Sequence, residues 1–186
     1  MKILALDPSS TKSGYAILIN SRPPAPRLIE AGILRPQKKD APPLQRITDQ
    51  VNALSAILRE HQPDLVVVEE PSGHVAGRIK RLGKGMRGLA VYGAAVGGFW
   101  IYLNLWRDFI KPNQKTYPLI SVKENDWTGG VPKGERQRAI AMIFPQYRPH
   151  ADKGADAADA IGLAEWVMAR WQKGQAAIAK TKEADR

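Results

Sequence analysis

The chain has 186 residues, no cysteine, and 28 Lys and Arg against 18 Asp and Glu, which gives a formal net charge of +10. This length suits a single domain with a substantial core. The absence of cysteine excludes disulfides, thiolate metal sites and a cysteine nucleophile. The positive charge favours a polyanionic partner, either nucleic acid or an anionic membrane surface.

The first third of the chain predicts an antiparallel meander. Apolar, β-rich segments at residues 3–6, 15–19 and 28–34 are separated by a small polar turn and a proline-rich connection. A helix follows, because Pro42 and Pro43 can open it and leucine, isoleucine and valine then recur at three- and four-residue intervals until Pro63. Residues 65–69 predict a buried strand, so the sheet is mixed and has helices packed on it.

The remainder of the chain continues the alternation of strand and helix. Its predicted elements are a basic segment at 72–84, an uncharged helix at 89–106, a strand at 117–122 and helices at 135–144 and 155–173. We therefore expect an α/β fold in one domain over residues 1–173, with residues 174–186 as a frayed tail.

The uncharged helix at 89–106 raises the question of a membrane span. Glycines, including the pair Gly93 and Gly97, dilute its hydrophobicity and suit close helix packing in a core or a dimer equally well. Near the N-terminus, Asp7 comes too early for the apolar region of a signal peptide. We therefore predict no membrane association and a cytoplasmic location.

Acidic residues stand at the ends of the apolar strands and at the start of the last helix. Asp7 closes the first strand, the pair Glu69 and Glu70 closes a later one, and Asp156 and Asp159 are three apart on one helix face. Taken singly, such acids are usually helix caps or solvated loop residues. Together they form a four-carboxylate set suited to two Mg²⁺ ions about 4 Å apart, as in phosphodiester hydrolysis.

The geometry of a strand does not decide between Glu69 and Glu70. Successive strand residues point to opposite faces, so only one of the pair can enter a common site with Asp7. His74 and His150 are spare ligand candidates, which we interpret as loop residues. The scarcity of histidine and the lack of cysteine agree with a hard cation held by oxygen ligands.

Three segments, at residues 6–15, 68–70 and 155–161, resemble the RuvC family of Holliday junction resolvases in the RNase H-like superfamily. The resemblance implies an RNase H-like fold, a five-stranded mixed sheet with helices on both faces. It implies a homodimer that nicks two opposing strands of a four-way DNA junction with Mg²⁺, or Mn²⁺ in its place, at two ions per site. It also selects Glu69 over Glu70, so the catalytic, metal-binding acids would be Asp7, Glu69, Asp156 and Asp159.

The resemblance also implies roles for several basic residues and for one helix. Lys123 and Arg136 would lie beside the scissile phosphate, with Lys133 as a near alternative, and the helix at 88–106 would form the dimer surface. The chain departs from the family in two places: Ser9 stands where glycine is usual, and residues 71–74 lack the aromatic that commonly follows the catalytic glutamate. Basic side chains would then carry more of the DNA binding, namely Arg78, Lys80, Arg81, Lys84, Arg87 and Lys133.

Three alternative functions are considered. A related nuclease could act on other branched DNA or on RNA–DNA hybrids, and a binding module of this fold could have lost catalysis, although a pure binder has no reason to keep four repulsive carboxylates. An actin-like phosphotransferase would use residues 7–14 for Mg²⁺ and phosphate, but the chain is short for its two lobes. The sequence gives no indication of a branch-migration motor as a partner.

Overall fold

A computed structural model describes residues 1–20, 26–70, 86–110 and 118–184. Five strands form one sheet in the order β3-β2-β1-β4-β5. β1 pairs antiparallel with β2 and parallel with β4, so the predicted mixed sheet and its N-terminal meander are confirmed. The strands are β1 Lys2–Asp7, β2 Ser13–Ile19, β3 Arg27–Leu34, β4 Leu65–Glu70 and β5 Leu119–Lys123.

Within the described residues, five α-helices connect and cover these strands. They are α1 Pro43–His61, α2 Met86–Leu105, α3 Glu124–Thr128, α4 Lys133–Ile143 and α5 Asp156–Ala184. A π-helical turn extends α2, and a 3-10 turn precedes α5. The short helix α3 and the 3-10 turn were not predicted, since neither is long enough to show a helical period. Helix α5 continues to Ala184, so its predicted end at residue 173 is too early.

The core has two halves, one on each face of the sheet. Along β1, Ile3 and Ala5 face α4 and α5, whereas Leu4 and Leu6 face α1 and α2. This alternation follows from the two-residue period of a strand, which here is buried on both faces. The predicted arrangement of helices on both faces is therefore confirmed.

The turn after β1 accommodates serine where the RuvC family usually has glycine. Among the non-glycine residues that the structure describes, only Gln62 and Ala155 adopt a positive φ, so Ser9 has ordinary backbone geometry. Its N–H donates to Ser13 Oγ (2.9 Å), and Gln50 Nε2 donates to its carbonyl oxygen (3.1 Å). Glycine's freedom is therefore not required at this position.

Gly14 allows helix α5 to lie directly against the sheet. A Cβ atom built at Gly14 would overlap the backbone carbonyl oxygen of Asp156, the first residue of α5. We expect Gly14→Ala to lower the free energy of unfolding by about 1–3 kcal/mol, because backbone must move to make room. Urea denaturation would measure this loss. Gly134→Ala is the matched control, since no atom lies within 4 Å of its Cβ position, and equal stability of the two variants would contradict the expectation.

In the part of the chain that the structure describes, none of the helices combines the length and the apolar character needed to span a bilayer.

Candidate active site

Asp7 and Glu69 lie side by side at the ends of two adjacent parallel strands. The register pairs Leu6 with Val68, so the next residues, Asp7 and Glu69, are neighbours. Both side chains follow the alternation of their strands and point to the face of the sheet that packs on α5, the face of Ile3 and Ala5. Glu69 is buried, with 7% of its surface exposed. Glu70 has the parity of Val68 and therefore points to the opposite face of the sheet.

The second pair of acids comes from the first turn of α5, and a third acid caps that helix. Asp152 Oδ1 accepts a hydrogen bond from the N–H of Asp156 (3.0 Å), and its Oδ2 accepts from the N–H of Ala158 (3.0 Å) and from Tyr147 Oη (2.7 Å). Asp152 is itself buried. Because it satisfies the helix N-terminus, the carboxylates of Asp156 and Asp159 remain available for other partners.

The ammonium of Lys133 lies among three of the predicted acids. Its Nζ is 2.9 Å from Asp156 Oδ1, 2.9 Å from Asp159 Oδ2 and 3.9 Å from Asp7 Oδ2. Lys133 begins helix α4, which packs on α5. The chain thus places a cation of its own where these carboxylates converge.

Two further basic side chains, Arg136 and Lys12, each contact one of the helix acids. Arg136 donates to Asp159 Oδ1 from Nε (3.0 Å), and its Nη2 is 2.9 Å from the same oxygen. Lys12 Nζ lies 2.6 Å from Asp156 Oδ2, an oxygen that is buried and accepts no well-aligned hydrogen bond. Gly154 makes room for Lys12, because a Cβ there would collide with Lys12 Nζ.

Burial and mutual repulsion make these acids reluctant to ionise without a cation. Burial raises the pKa of Glu69 to about 7, with a contribution from Asp159, although the N–H of Trp127 opposes the rise. Burial and then the neighbouring Glu69 raise the pKa of Asp7 well above its usual range. The pKa of Asp159 is raised by burial against the opposing effects of Lys133 and Arg136.

The groups around the acids respond to the same negative field. Burial alone would lower the pKa of Lys133, but Asp7 and Asp159 outweigh it and raise that pKa above its usual value. Tyr92 of α2 is half-buried, and its pKa is raised by burial and then by Glu69 and Asp7. Tyr92 therefore lies within electrostatic range of the acids from the other side of the sheet.

The raised acid pKa values predict a pH-dependent stability for the metal-free protein. The pKa of Glu69 rises from 4.5 to about 7 on folding, so between these values the folded state binds more protons than the unfolded state. The free energy of unfolding must therefore fall as pH rises. We expect a loss on the order of 1–3 kcal/mol between about pH 5 and about pH 8, measured by urea denaturation in EDTA. Glu69→Gln should make the free energy of unfolding depend less on pH. A parent protein whose free energy of unfolding does not change over this pH range would contradict the expectation.

The basic residues named in the sequence analysis fall into four groups. Lys133 and Arg136 contact the acids directly. Lys123 is exposed at the end of β5, paired in register with Glu70, and within the described chain it forms no ion pair with an acid. The structure describes Arg87 only as backbone in α2. The others lie outside the described residues, as does His74: Arg78, Lys80, Arg81 and Lys84. His150 is exposed in the 3-10 turn.

A second group with metal-binding side chains lies away from these acids. Glu30, Glu60 and His61 place one ligand atom each within 4.8 Å of one another, the only such trio in the described part of the chain. His61 Nε2 is 2.7 Å from Glu30 Oε2, and Tyr15 Oη also donates to Glu30, so Glu30 and His61 already have partners within the protein. Asp7, Asp156 and Asp159 lie around Lys133 instead.

Two contacts at the site were missed by the sequence analysis. Trp127 Nε1 donates a hydrogen bond to Glu69 Oε2 (2.8 Å), and Lys12 pairs with Asp156. A tryptophan in the polar segment that follows β5 was a signal for the first contact, since β5 borders the strand of Glu69. Lys12 sits in a small polar turn where nothing in the sequence distinguished it.

Comparisons with known proteins agree on one family. The family model for crossover junction endodeoxyribonuclease RuvC matches residues 3–73. A crossover junction endodeoxyribonuclease RuvC from Sphingopyxis alaskensis is 28% identical over 166 residues, which cover 88% of this chain and 94% of that protein. One from Campylobacter lari is 40% identical over 73 residues, covering 38% of this chain and 42% of the relative.

Solved structures with the same fold include two junction-resolving enzymes. Thermus thermophilus RuvC, solved in complex with a Holliday junction substrate, superposes with a TM-score of 0.67 at 17% identity, covering 94% of this chain and 96% of that one. The yeast mitochondrial Holliday junction resolvase Ydc2 gives 0.61 at 13% identity, covering 92% and 80%. The predicted RNase H-like fold is confirmed.

Proposed function

We propose that this chain, a RuvC-family protein by its sequence and its fold, is a structure-selective endonuclease that resolves four-way DNA junctions by paired symmetric nicks. The observation that carries the proposal is the convergence of Asp7, Asp156 and Asp159 on one ammonium, with Glu69 beside Asp7 at the strand end. The relatives named as crossover junction endodeoxyribonucleases and the neighbour solved with a junction substrate support the same assignment.

The four acids suit divalent metal ions, which we propose to be two Mg²⁺ per site with Mn²⁺ able to replace them. Carboxylate oxygens are the ligands that these hard cations prefer. Lys133 occupies the place of a cation, and the buried Oδ2 of Asp156 has no aligned hydrogen-bond donor. Asp7, Glu69, Asp156 and Asp159 would hold the ions, which would supply activation of the attacking water and stabilisation of the leaving 3′ oxygen.

The surrounding cations have distinct proposed roles. Lys133 is partly exposed, with 41% of its side chain accessible, and an ammonium can exchange its carboxylate partners for a phosphate oxygen. We assign it to the scissile phosphate. Arg136 and Lys12 orient Asp159 and Asp156 through the contacts described above. Lys123 remains a prediction from the resemblance, without a contact to the acids that supports it.

We propose that the enzyme acts as a homodimer through α2. Ile101 and Leu105 expose 62% and 48% of their surfaces on this helix, and nothing lies within 4 Å of a Cβ built at Gly93 or Gly97. A two-fold dimer presents two identical sites to a junction that is itself nearly two-fold. The net charge of +10 would attract the phosphates, so binding should weaken as salt rises.

The proposal also includes the extent of the domain and its cellular compartment. We assign residues 1–173 to one nuclease domain and propose that it acts in the cytoplasm. A binding module without catalysis is disfavoured, because burial of several carboxylates next to bound phosphates would be costly unless metal ions used them.

A substrate panel tests the proposal. The purified protein is incubated with Mg²⁺ or Mn²⁺ and end-labelled four-way junction, flap, duplex and RNA–DNA hybrid at equal concentration, with EDTA as the control. We expect paired nicks at symmetric positions in opposing strands of the junction and little cutting of duplex. Faster cleavage of the flap or the hybrid would assign the alternative nuclease function, and binding without cleavage of any substrate would make the chain a binding module.

A further inference from the structure

We propose that Trp127 is a positioning residue that fixes the carboxylate of Glu69 for metal binding. This inference rests on the proposed function, because it concerns how the same four acids hold a divalent ion. Trp127 Nε1 donates to Glu69 Oε2 at 2.8 Å. A carboxylate offers two oxygens, so an N–H group on Oε2 leaves Oε1 for a cation and sets the plane of the group.

The fold delivers the indole to this carboxylate through the short helix α3. β5 pairs with β4 so that Val122 lies beside Glu69. Helix α3 begins two residues after Val122, at Glu124. Helix α3 ends after one turn at Gly129, whose φ of 57° is left-handed. Trp127 is therefore held directly above the strand end that carries Glu69.

The indole has two further neighbours, Arg136 and Gly162. The guanidinium carbon of Arg136 lies 5.1 Å from the centre of the ring, within the range of a cation–π contact. Gly162 of α5 provides room for the ring, because a Cβ there would be 2.9 Å from Trp127 Cζ3. Since Arg136 also binds Asp159, one tryptophan links the orientation of two acids on separate elements.

This arrangement has a consequence for metal affinity. Partners that hydrogen-bond a metal ligand keep it oriented, and their loss typically costs about 10–100-fold in affinity. Trp127→Phe removes the N–H group and keeps a smaller aromatic ring at this position, so a second background, Glu69→Gln, is needed to separate loss of the hydrogen bond from loss of packing. We expect about tenfold weaker Mn²⁺ binding, with near-parental junction cleavage once Mn²⁺ saturates the site.

The test measures Mn²⁺ binding by calorimetry without DNA, alongside the metal dependence of junction cleavage. Trp171→Phe is the matched control, because Trp171 lies on α5 with 42% of its surface exposed, and it should bind Mn²⁺ as the parent does. The same Phe substitution is repeated in a Glu69→Gln background. A positioning role through Glu69 predicts no further loss there, whereas a general structural role would lower affinity in both backgrounds.

The outcomes separate this inference from the function that it rests on. Parental Mn²⁺ affinity in Trp127→Phe, or an equal loss in both backgrounds, overturns the inference and leaves the nuclease proposal intact. Failure of the parent itself to bind Mn²⁺ overturns both the metal site and the role of Trp127. Weaker Mn²⁺ binding that Trp127→Phe causes in the parent but not in the Glu69→Gln background, with cleavage restored at high Mn²⁺, supports the inference. This support does not depend on which DNA substrate proves to be preferred.

Discussion

Asp7→Asn is expected to reduce cleavage of a four-way junction by about a thousandfold or more while leaving junction binding intact. Loss of a metal-holding carboxylate removes several kcal/mol of transition-state stabilisation, and each 1.4 kcal/mol is roughly tenfold in rate. Asp7 lies beside Glu69, and its Oδ2 is 3.9 Å from Lys133 Nζ, so it belongs to the cluster of proposed metal ligands. Binding should survive because the change removes a negative charge that repels phosphate.

Single-turnover cleavage and a gel-shift titration measure the two halves of this expectation. Asp40→Asn is the control, since it makes the same chemical change at an exposed aspartate. Unaltered cutting by Asp7→Asn would remove the strand-end acids from the mechanism. Loss of both cutting and binding, with a lowered melting temperature, would point to a folding role instead.

Glu69→Gln and Glu70→Gln should have very different effects although the residues are adjacent. Glu69 is buried on the α5 face with the other acids, whereas Glu70 has the opposite parity and pairs in register with Lys123. We expect Glu69→Gln to lower cleavage by about a thousandfold, for the reason given for Asp7. Glu70→Gln should change it by no more than about threefold, because the Glu70 side chain points to the face of the sheet away from the other acids.

Rates of junction cleavage at saturating Mn²⁺ provide the comparison, with each variant serving as the control for the other. Equal losses in the two variants would show that the pair acts together. A larger loss in Glu70→Gln would mean that the strand enters the site one residue later than the structure has it.

The sheet and the meeting of the predicted acids could be anticipated because both depend on local patterns. Apolar runs that end in Asp7 and in Glu69 signal buried strands whose last side chains meet at one edge. The spacing of Asp156 and Asp159 signals one helix face. Only the choice between Glu69 and Glu70 needed the strand pairing or a relative, since strand parity has no reference point until neighbouring strands are known.

The contacts that organise these acids could not be anticipated, because they join distant parts of the chain. Lys12 meets Asp156, and Trp127 meets Glu69 across 58 positions. No local period links such residues. The resemblance placed Lys123 and Arg136 at the phosphate, with Lys133 as a near alternative. In the structure Lys133 and Arg136 contact the acids, whereas Lys123 pairs in register with Glu70.

The close approach of Gly14 to the start of α5 has a consequence for synthesis of the protein. The strand that carries Asp7 can pair with its neighbours as soon as β1, β2 and β4 are made, but Asp156 and Asp159 belong to a later helix. The cluster of acids is therefore complete only when α5 lies against Gly14. We expect a chain that lacks α5 to keep Asp7 and Glu69 but to bind no divalent ion at this place and to cut no junction.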